Sequence, residues 1–373
     1  MTDANSGFRI AVLPGDGIGQ EVMAPCLEVI DAALHRAGAG ALDYEHVDMG
    51  AGTFQRTGEA LPPESLEACR KADAILLGAM GLPHVRYPDG TEIAPQLDLR
   101  VEFGLYAGVR PIRAIPGVPH ALASARAGDI DFVLIRESTE GLFASHRRGT
   151  VENDQVARDT MVITRPACER LFDFSFRLGE QRRKRGHAGK VTCVDKANVF
   201  KSFAFFRRIF DERAKSFPDI EANHIYIDAT ALSLVLRPWD FDVMVTENMF
   251  GDILSDLGAG LIGGMGFAPS ADIGDDHAVF QPCHGTAPDI AGQGKANPTA
   301  MFLSAAMMLE WLGERHERAS TVEAGRLITQ AVDEAFAGGR LRTPEFGGDA
   351  GTDGVTRAVL DTLQEVPAGA GAR

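Results

Sequence analysis

The chain is poor in several features that announce common functions. Its five cysteines, Cys26, Cys69, Cys168, Cys193 and Cys283, are odd in number and form no C-x-x-C pair. A disulfide framework and a cysteine-rich zinc site therefore lack support, and a reducing cytoplasm is the expected compartment. Long apolar runs are missing too. The nearest approach to a membrane span, Leu257 to Ala271, is broken by glycines and by Pro269,. The first apolar run, Ile10 to Leu13, is too brief for a secretion signal, and the tail from Pro367 to Arg373 reads as disordered,. Positive charge is in short supply. There are 37 Lys and Arg against 52 Asp and Glu, a net charge of −15, which argues against nucleic acid or an acidic membrane as partner. The one basic run, Arg182 to Arg185, has no interleaved aromatics and reads as a solvated helix end. A P-loop, a G-x-S-x-G elbow and an H-E-x-x-H zinc motif are all absent,.

What is present is an ordinary globular composition, 45% hydrophobic and 24% charged, spread over 373 residues. That length exceeds one ordinary core, so two domains are expected. Short apolar runs alternate with amphipathic windows. Strands are expected at Arg9–Leu13, Ala74–Leu77, Asp131–Ile135, Lys190–Val194, His224–Ile227 and Val243–Thr246,. Helices are expected at Gly19–Ala37, Pro62–Lys71, Arg165–Arg185, Val199–Phe217, Ala229–Arg237, Asp252–Leu261, Thr299–Leu312 and Ser320–Ala337,. The alternation predicts an α/β protein with a largely parallel sheet. Glycine and proline clusters near Gly81–Pro95 and Gly263–Pro269 mark crossings between domains.

The most informative stretch is Thr246 to Asp256, T-E-N-M-F-G-D-I-L-S-D. Asp252 and Asp256 are four apart, so on a helix both carboxylates share one face, one turn apart. Like charges so placed repel unless a cation lies between them. Oxygen ligands on a rigid element suit Mg²⁺ or Mn²⁺. The alternative is a pair of solvated acids on an exposed face.

Two segments bear on a nucleotide. Pro14 to Gly19, P-G-D-G-I-G, follows a strand but reads G-x-G-x-G, one residue short of the dinucleotide fingerprint, and a tight strand-to-helix turn explains it as well,. The stronger candidate is His284-Gly285-Thr286-Ala287-Pro288-Asp289-Ile290-Ala291-Gly292, followed by Asn297-Pro298-Thr299. Gly285 would admit a phosphate close to the backbone, and His284 and Asn297 offer hydrogen bonds to adenine or ribose. Asp289 would pair with a ribose 2′-hydroxyl and repel a 2′-phosphate, which predicts NAD over NADP. The competing reading is a glycine-rich turn capped by Asp289.

Together, P-G-D-G-I-G, E-N-M-F-G-D-I-L-S-D and H-G-T-A-P-D-I-A-G resemble the β-decarboxylating dehydrogenases of 2-hydroxy acids, a family that includes isocitrate, 3-isopropylmalate, homoisocitrate and tartrate/D-malate dehydrogenases. The resemblance runs from about Arg9 to Leu363. It implies a two-domain isopropylmalate dehydrogenase-like α/β fold on a large continuous mixed sheet, not a Rossmann fold. Residues 1–107 and 265–373 would form the large cofactor-binding domain. Residues 108–264 would form the small domain, with the dimer interface and the metal site. The resemblance also implies a homodimer whose active sites are each built from both subunits.

Site residues carry over by motif. Arg100, Arg110 and Arg136 match the arginines that clamp the malate carboxylates, for which bidentate, permanently charged guanidinium forks are suited. In V-D-K-A-N, Lys196 matches the lysine that assists removal of the 2-hydroxyl proton. Nearby cations would lower its pKa, as suits a base. Asn198 would contact the nicotinamide amide. Asp228 matches the third metal carboxylate, beside Asp252 and Asp256, and in the family it and the lysine come from the neighbouring subunit. His284, Gly285, Thr286, Ala287, Asp289, Ile290 and Asn297 would hold the NAD. The implied reaction is hydride transfer from C2 to NAD, then loss of the C3 carboxylate as CO2 while the metal stabilises the enolate.

The chain departs from the motif at four positions. Phe143 replaces the tyrosine credited with protonating the enolate, which leaves water, His146 or another group for that step. Gln281 and Cys283 replace the glutamate and valine of the usual E-P-V-H-G. Gly108 stands where an asparagine is common. The residues before the first arginine, Ala94 to Leu97, would face the C3 substituent, with Gln96 and Leu97 the mixed polar–apolar pair. The neighbouring segments R-P-I-R-A-I-P-G-V and G-D-I-D-F look closer to tartrate/D-malate dehydrogenases, and with that pair they rank 3-isopropylmalate level with tartrate or D-malate and isocitrate behind,. Two other functions stay open: a ligand-binding regulatory paralogue without turnover, and a dehydrogenase that oxidises without decarboxylating.

Overall fold

The computed structural model describes residues 7–146 and 148–366, so the tail expected to be disordered, Pro367 to Arg373, lies outside the described residues. The strands are β1 (Arg9–Gly15), β2 (Asp43–His46), β3 (Ala74–Ala79), β4 (Ala107–Arg113), β5 (Asp131–Glu137), β6 (Thr150–Glu152), β7 (Val156–Arg158), β8 (Lys190–Asp195), β9 (Glu221–Tyr226), β10 (Val243–Thr246), β11 (Pro269–Ile273) and β12 (Ala278–Pro282). The helices are α1 (Ile18–Ala37), α2 (Ala51–Thr57), α3 (Pro63–Lys71), α4 (Pro95–Glu102), α5 (Arg165–Lys184), α6 (Lys201–Ala214), α7 (Ile227–Leu236), α8 (Asn248–Leu261), α9 (Thr299–Arg315), α10 (Ala319–Ala337) and α11 (Thr352–Glu365).

Ten strands form one unbroken sheet in the order β2-β1-β3-β12-β11-β4-β5-β10-β8-β9, and β6 and β7 pair separately as a small hairpin. The pairings are parallel at both ends of the sheet and antiparallel at β12–β11, β11–β4 and β4–β5. The sheet is thus mixed, with its antiparallel part in the middle. The strand expected at His224–Ile227 is Glu221–Tyr226 instead, because Ile227 already opens α7.

Several elements carry little sequence signal. In β4, Pro111 reads as a strand breaker, yet β11 pairs only with Ala107 to Val109, so beyond them β4 has a neighbour on one side only,. The β11–β12 hairpin adjoins the glycine- and proline-rich stretch read as a crossing, and every residue of both strands is buried.

Periodic burial explains the long helices. In α1 the buried set Ile18, Val22, Met23, Cys26, Val29, Ile30, Ala33 and Leu34 follows helical spacing,. The helix ends at Gly38, which takes the left-handed conformation at φ 65°,. Against one face of the sheet, α5 and α6 meet through stacked and edge-on phenylalanines, with Phe172–Phe206 at 4.7 Å and Phe176–Phe210 at 5.1 Å between ring centroids,.

The turn after β1 has a structural explanation. A Cβ on Gly17, whose φ is +55°, would fall 2.1 Å from the Thr286 carbonyl oxygen, and Ile18 N donates to that same oxygen at 2.8 Å. P-G-D-G-I-G is therefore pressed against protein backbone rather than opened to a pyrophosphate. Asp16 within it accepts bonds from Ala51 N, Gly52 N and Gly81 N at 2.8, 2.8 and 2.9 Å, which ties β1 to the start of α2. No described helix is long and apolar enough to cross a membrane.

Candidate active site

Three buried arginines from different elements line one cleft of about 180 Å³. Arg100 comes from α4, Arg110 from β4 and Arg136 from the end of β5, and they are 8%, 4% and 4% exposed. Opposite them α8 presents Asp252, Ser255 and Asp256, and the rest of the wall includes Met80, Gln96, Ser270, Gln281, Cys283, His284 and Gly285. Buried guanidiniums require partners. Arg136 donates to Asn248 Oδ1 from Nε at 2.9 Å and from Nη2 at 2.6 Å, and its Nη1 bonds Asp252 Oδ1. Burial and the charges of Arg100 and Arg110 pull Arg136 down to about 10, so it remains a cation at neutral pH.

Arg100 and Arg110 share a partner absent from the sequence-based site, Asp272 on β11. Arg100 Nε donates to Asp272 Oδ2 at 3.0 Å and Arg100 Nη2 forms an ion pair with the same oxygen at 3.0 Å, while Arg110 Nη2 donates to Oδ1 at 3.1 Å. Gln281 Nε2 donates to Oδ2 at 2.9 Å. Burial alone would raise this carboxyl, but the guanidiniums of Arg100, Arg110 and Arg136 hold it at about 2,. Only its place in A-P-S-A-D-I-G, an acid within an apolar run, could have singled Asp272 out.

The helix that carries the acids is well anchored. Glu247 caps α8, accepting from Phe250 N at 2.8 Å and Met249 N at 3.1 Å,. Because α8 opens at Asn248, Asp252 stands in its second turn rather than at its start. Desolvation and the neighbouring charge of Asp252 push the Asp256 carboxyl upward. A cation between the two would relieve that repulsion, so this donor set suits a divalent ion.

Lys196 and Asp228 are not in this cleft. Lys196 Nζ donates to Asp228 Oδ1 at 2.7 Å, and the Asp228 side chain is 69% exposed. Asp195, fully buried, holds the Lys196 loop by accepting from Ala197 N and from both Nε and Nη2 of Arg207. Asn198 is exposed beside them. Among the described residues of the single chain, no three acidic, histidine or cysteine side chains group to hold a metal, so Asp228 does not join Asp252 and Asp256 within one subunit. Gln96 and Arg100, one helical turn apart on α4, line the cleft; Leu97, half-buried on the same helix, is not part of that lining,.

A second cleft of about 330 Å³ adjoins the first and shares His284 with it. Its wall includes Ile18, Ile290, Ala296 and Asn297. His284 Nε2 is buried with no hydrogen-bond partner, while Nδ1 lies 2.9 Å from Gly285 O. Burial lowers the imidazole pKa, so the ring is neutral and its unmatched nitrogen suits a polar ligand atom. Asp289 is exposed next to Ile290, and Thr286 is buried. Asn297 is already engaged: its Oδ1 accepts from Thr299 N and Oγ1, and its Nδ2 donates to Glu345. Glu21 on α1, missed by the sequence reading, clamps this loop by accepting from Gly292 N, Ala296 N and Thr352 Oγ1 at 2.9, 3.0 and 2.6 Å.

The model for the isocitrate/isopropylmalate dehydrogenase family matches residues 9–361. The chain belongs to that family. It is 43% identical over 360 residues to the 3-isopropylmalate/3-methylmalate dehydrogenase of Methanocaldococcus jannaschii, covering 96% of this chain and 99% of the relative. It is 42% identical over 362 residues to the isocitrate/homoisocitrate dehydrogenase of Thermus thermophilus, covering 96% and 99%. Among solved structures, isocitrate dehydrogenase from Methylococcus capsulatus superposes with a TM-score of 0.82 at 35% identity over 96% of this chain and 99% of that one. Within this dehydrogenase family the chain's departures have definite places. Phe143 lays its ring against Arg136, whose guanidinium carbon is 5.3 Å from the ring centroid. His146 is exposed and lines a separate surface depression with Phe143. Gly108 and Gln281 both abut Asp272.

Proposed function

We propose that the chain is an NAD- and divalent-metal-dependent dehydrogenase that oxidises and decarboxylates a 3-substituted malate, of the 3-isopropylmalate or tartrate/D-malate type, to a 2-keto acid and CO2. The observation that carries this reading is the convergence of Arg100, Arg110 and Arg136 on one side of a cleft whose other side is Asp252 and Asp256. Cationic forks fit the two carboxylates of such a substrate, and paired acids fit an ion beside its 2-hydroxyl.

Each residue has a role. Arg100, Arg110 and Arg136 bind and orient the carboxylates. Lys196 takes the proton from the 2-hydroxyl oxygen. Asp252 and Asp256, with Asp228 of a second subunit, would hold Mg²⁺ or Mn²⁺, which supplies Lewis-acid polarisation of the substrate oxygen. NAD would lie along the loop from His284 to Asn297, with its nicotinamide amide toward Asn198 and its ribose hydroxyl toward Asp289, and when bound it accepts the hydride from C2. After the C3 carboxylate leaves, C3 needs a proton. Phe143 has none to give and His146 lines a separate depression, which favours water over His146 as its source.

The shared site follows from the same placement. Val199 and Phe200 follow Asn198 in the chain, Leu232, Val235 and Leu236 share α7 with Asp228, and Ile253 stands on α8; all six are exposed apolar side chains. Such side chains are the kind a homodimer covers, and covering them would bring Lys196 and Asp228 to a partner's cleft.

The test is a panel of 3-isopropylmalate, D-malate, tartrate and isocitrate with NAD and Mn²⁺, with NADH and CO2 read separately. NADH and CO2 in equal amounts support the proposal. NADH without CO2 supports oxidation alone, the second reading that Phe143 favours. Tight binding with neither product marks a non-catalytic paralogue. The names of the relatives favour 3-isopropylmalate, whereas Gln96 lining the cleft in place of Leu97 favours a smaller or more polar C3 group.

A further inference from the structure

Two departures from the family motif, Gly108 and Gln281, meet at one group, the carboxylate of Asp272. Asp272 faces Gly108 across the β11–β4 ladder. A Cβ added at Gly108 would lie 3.2 Å from Asp272 Oδ1 and 2.6 Å from Ser138 Oγ, so a larger residue there would displace the Ser138 hydroxyl and crowd the carboxylate. Gln281 donates from Nε2 to Asp272 Oδ2 at 2.9 Å. A glutamate at 281 would set a second carboxylate against the first, and the nearest cations, Arg100 and Arg110, are already bonded to Asp272. Both departures therefore suit a buried acid at 272.

We infer that Asp272 is a positioning residue of the dicarboxylate clamp, and that it carries at 272 the negative charge the family motif places at 281, relocated across the β11–β12 ladder rather than lost. The inference rests on the clamp reading above. Its physical content lies in the donors. Arg100 spends Nε and Nη2 on Asp272, which leaves Nη1 for a ligand. Arg110 spends Nη1 on the carbonyls of Val109 and Ala271, and Nη2 bonds Asp272. Both forks are thus oriented before substrate arrives, so binding need not pay for ordering them. The carboxylate also cancels one of the clamp's three positive charges and so sets its pull on a dianion.

The experiment compares wild type, Asp272→Asn, Gln281→Glu and the double variant. Binding of D-malate and of 3-isopropylmalate is measured by calorimetry with Mn²⁺ and without NAD, and KM and kcat are measured on any substrate the wild type turns over. Gln281→Glu adds a negative charge beside the clamp and should weaken dicarboxylate binding and raise KM about tenfold or more. The double variant restores one acid and one amide to the pair and should bring both values back to within about threefold of wild type. Asp272→Asn frees both forks and should lower kcat more than it changes KM.

A double variant no better than Gln281→Glu overturns the inference, as does a Gln281→Glu protein that binds like wild type. Thermal melts check folding. Should Asp272→Asn not fold, Gln281→Glu against the double variant still decides. Wild-type protein that neither binds nor oxidises any of these acids removes the reading of function and this inference with it. Normal wild-type turnover with no rescue removes the inference alone.

Discussion

Arg100, Arg110 and Arg136 show why this cleft is chemically demanding at the scale of single residues. Three cations under 10% exposed persist only because Asp272, Asn248 and Asp252 meet them,. The pairing makes stability depend on pH. Asp272 is held at about 2 against an ordinary 3.8. A lowered folded value means its contribution is fully present above about pH 4 and is lost as pH falls through the folded value. Denaturant unfolding of wild type against Asp272→Asn should therefore differ by about 2 kcal/mol near neutrality and by much less near pH 2. Asp252→Asn is a separate prediction. It removes a carboxylate from the proposed ion site and should cut metal-dependent turnover by about two orders of magnitude or more, with Mn²⁺ titration of the activity as the measurement. Near-normal turnover would remove Asp252 from the ion site.

Adjacent strands and one helix bring these residues together. β4 and β5 deliver two arginines, β11 and β12 deliver Asp272 and Gln281, and α8 delivers both acids from a helix capped by Glu247. The loop from His284 to Asn297 is held from two sides, by Glu21 on α1 and by the glycine turn that presses on Thr286. Gly17→Ala tests that second hold. A Cβ there meets a carbonyl oxygen at 2.1 Å with the backbone at φ +55°, so the variant should lose about 2–4 kcal/mol of stability and bind NAD more weakly, as read by a thermal melt and by NAD titration. Glu21→Gln should leave the fold intact and raise KM for NAD more than KM for the acid, because two of its three bonds go to the cofactor loop and the third to Thr352 at the start of α11.

For the whole molecule the decisive question is which chain supplies Lys196. In one subunit Lys196 and Asp228 pair with each other away from the cleft, beside the exposed apolar face of α7 and α8. If two chains share each site, inactive Asp252→Asn and Lys196→Met proteins should complement. Random mixing makes half of the dimers mixed, and one of two sites in each is then intact, so co-expression should recover roughly a quarter of wild-type activity. Recovery of nothing would place each complete site within one chain. Charging the face, with Leu236→Asp and Ile253→Lys together, should yield a monomer by sedimentation, with turnover lost.

The amino-acid sequence by itself determined the α/β class, most of the long helices and the family, and it singled out the acids Asp252 and Asp256 and the three arginines that the fold gathers along one cleft, because helical period, charge spacing and long motifs are local properties that survive in one dimension. The weak dinucleotide signal of P-G-D-G-I-G was also read correctly there as ambiguous. Only the tertiary structure decided that this turn grips Thr286, that Gln96 lines the cleft, and that Asp228 stands apart from the other two acids within one chain. It alone found Asp272. A buried acid has no periodic signature, and its meaning lies in partners 172, 162 and 9 residues away in the chain. Such a group is specified by which strands lie side by side, and strand order in a mixed sheet is settled by long-range packing rather than by any stretch of neighbouring residues.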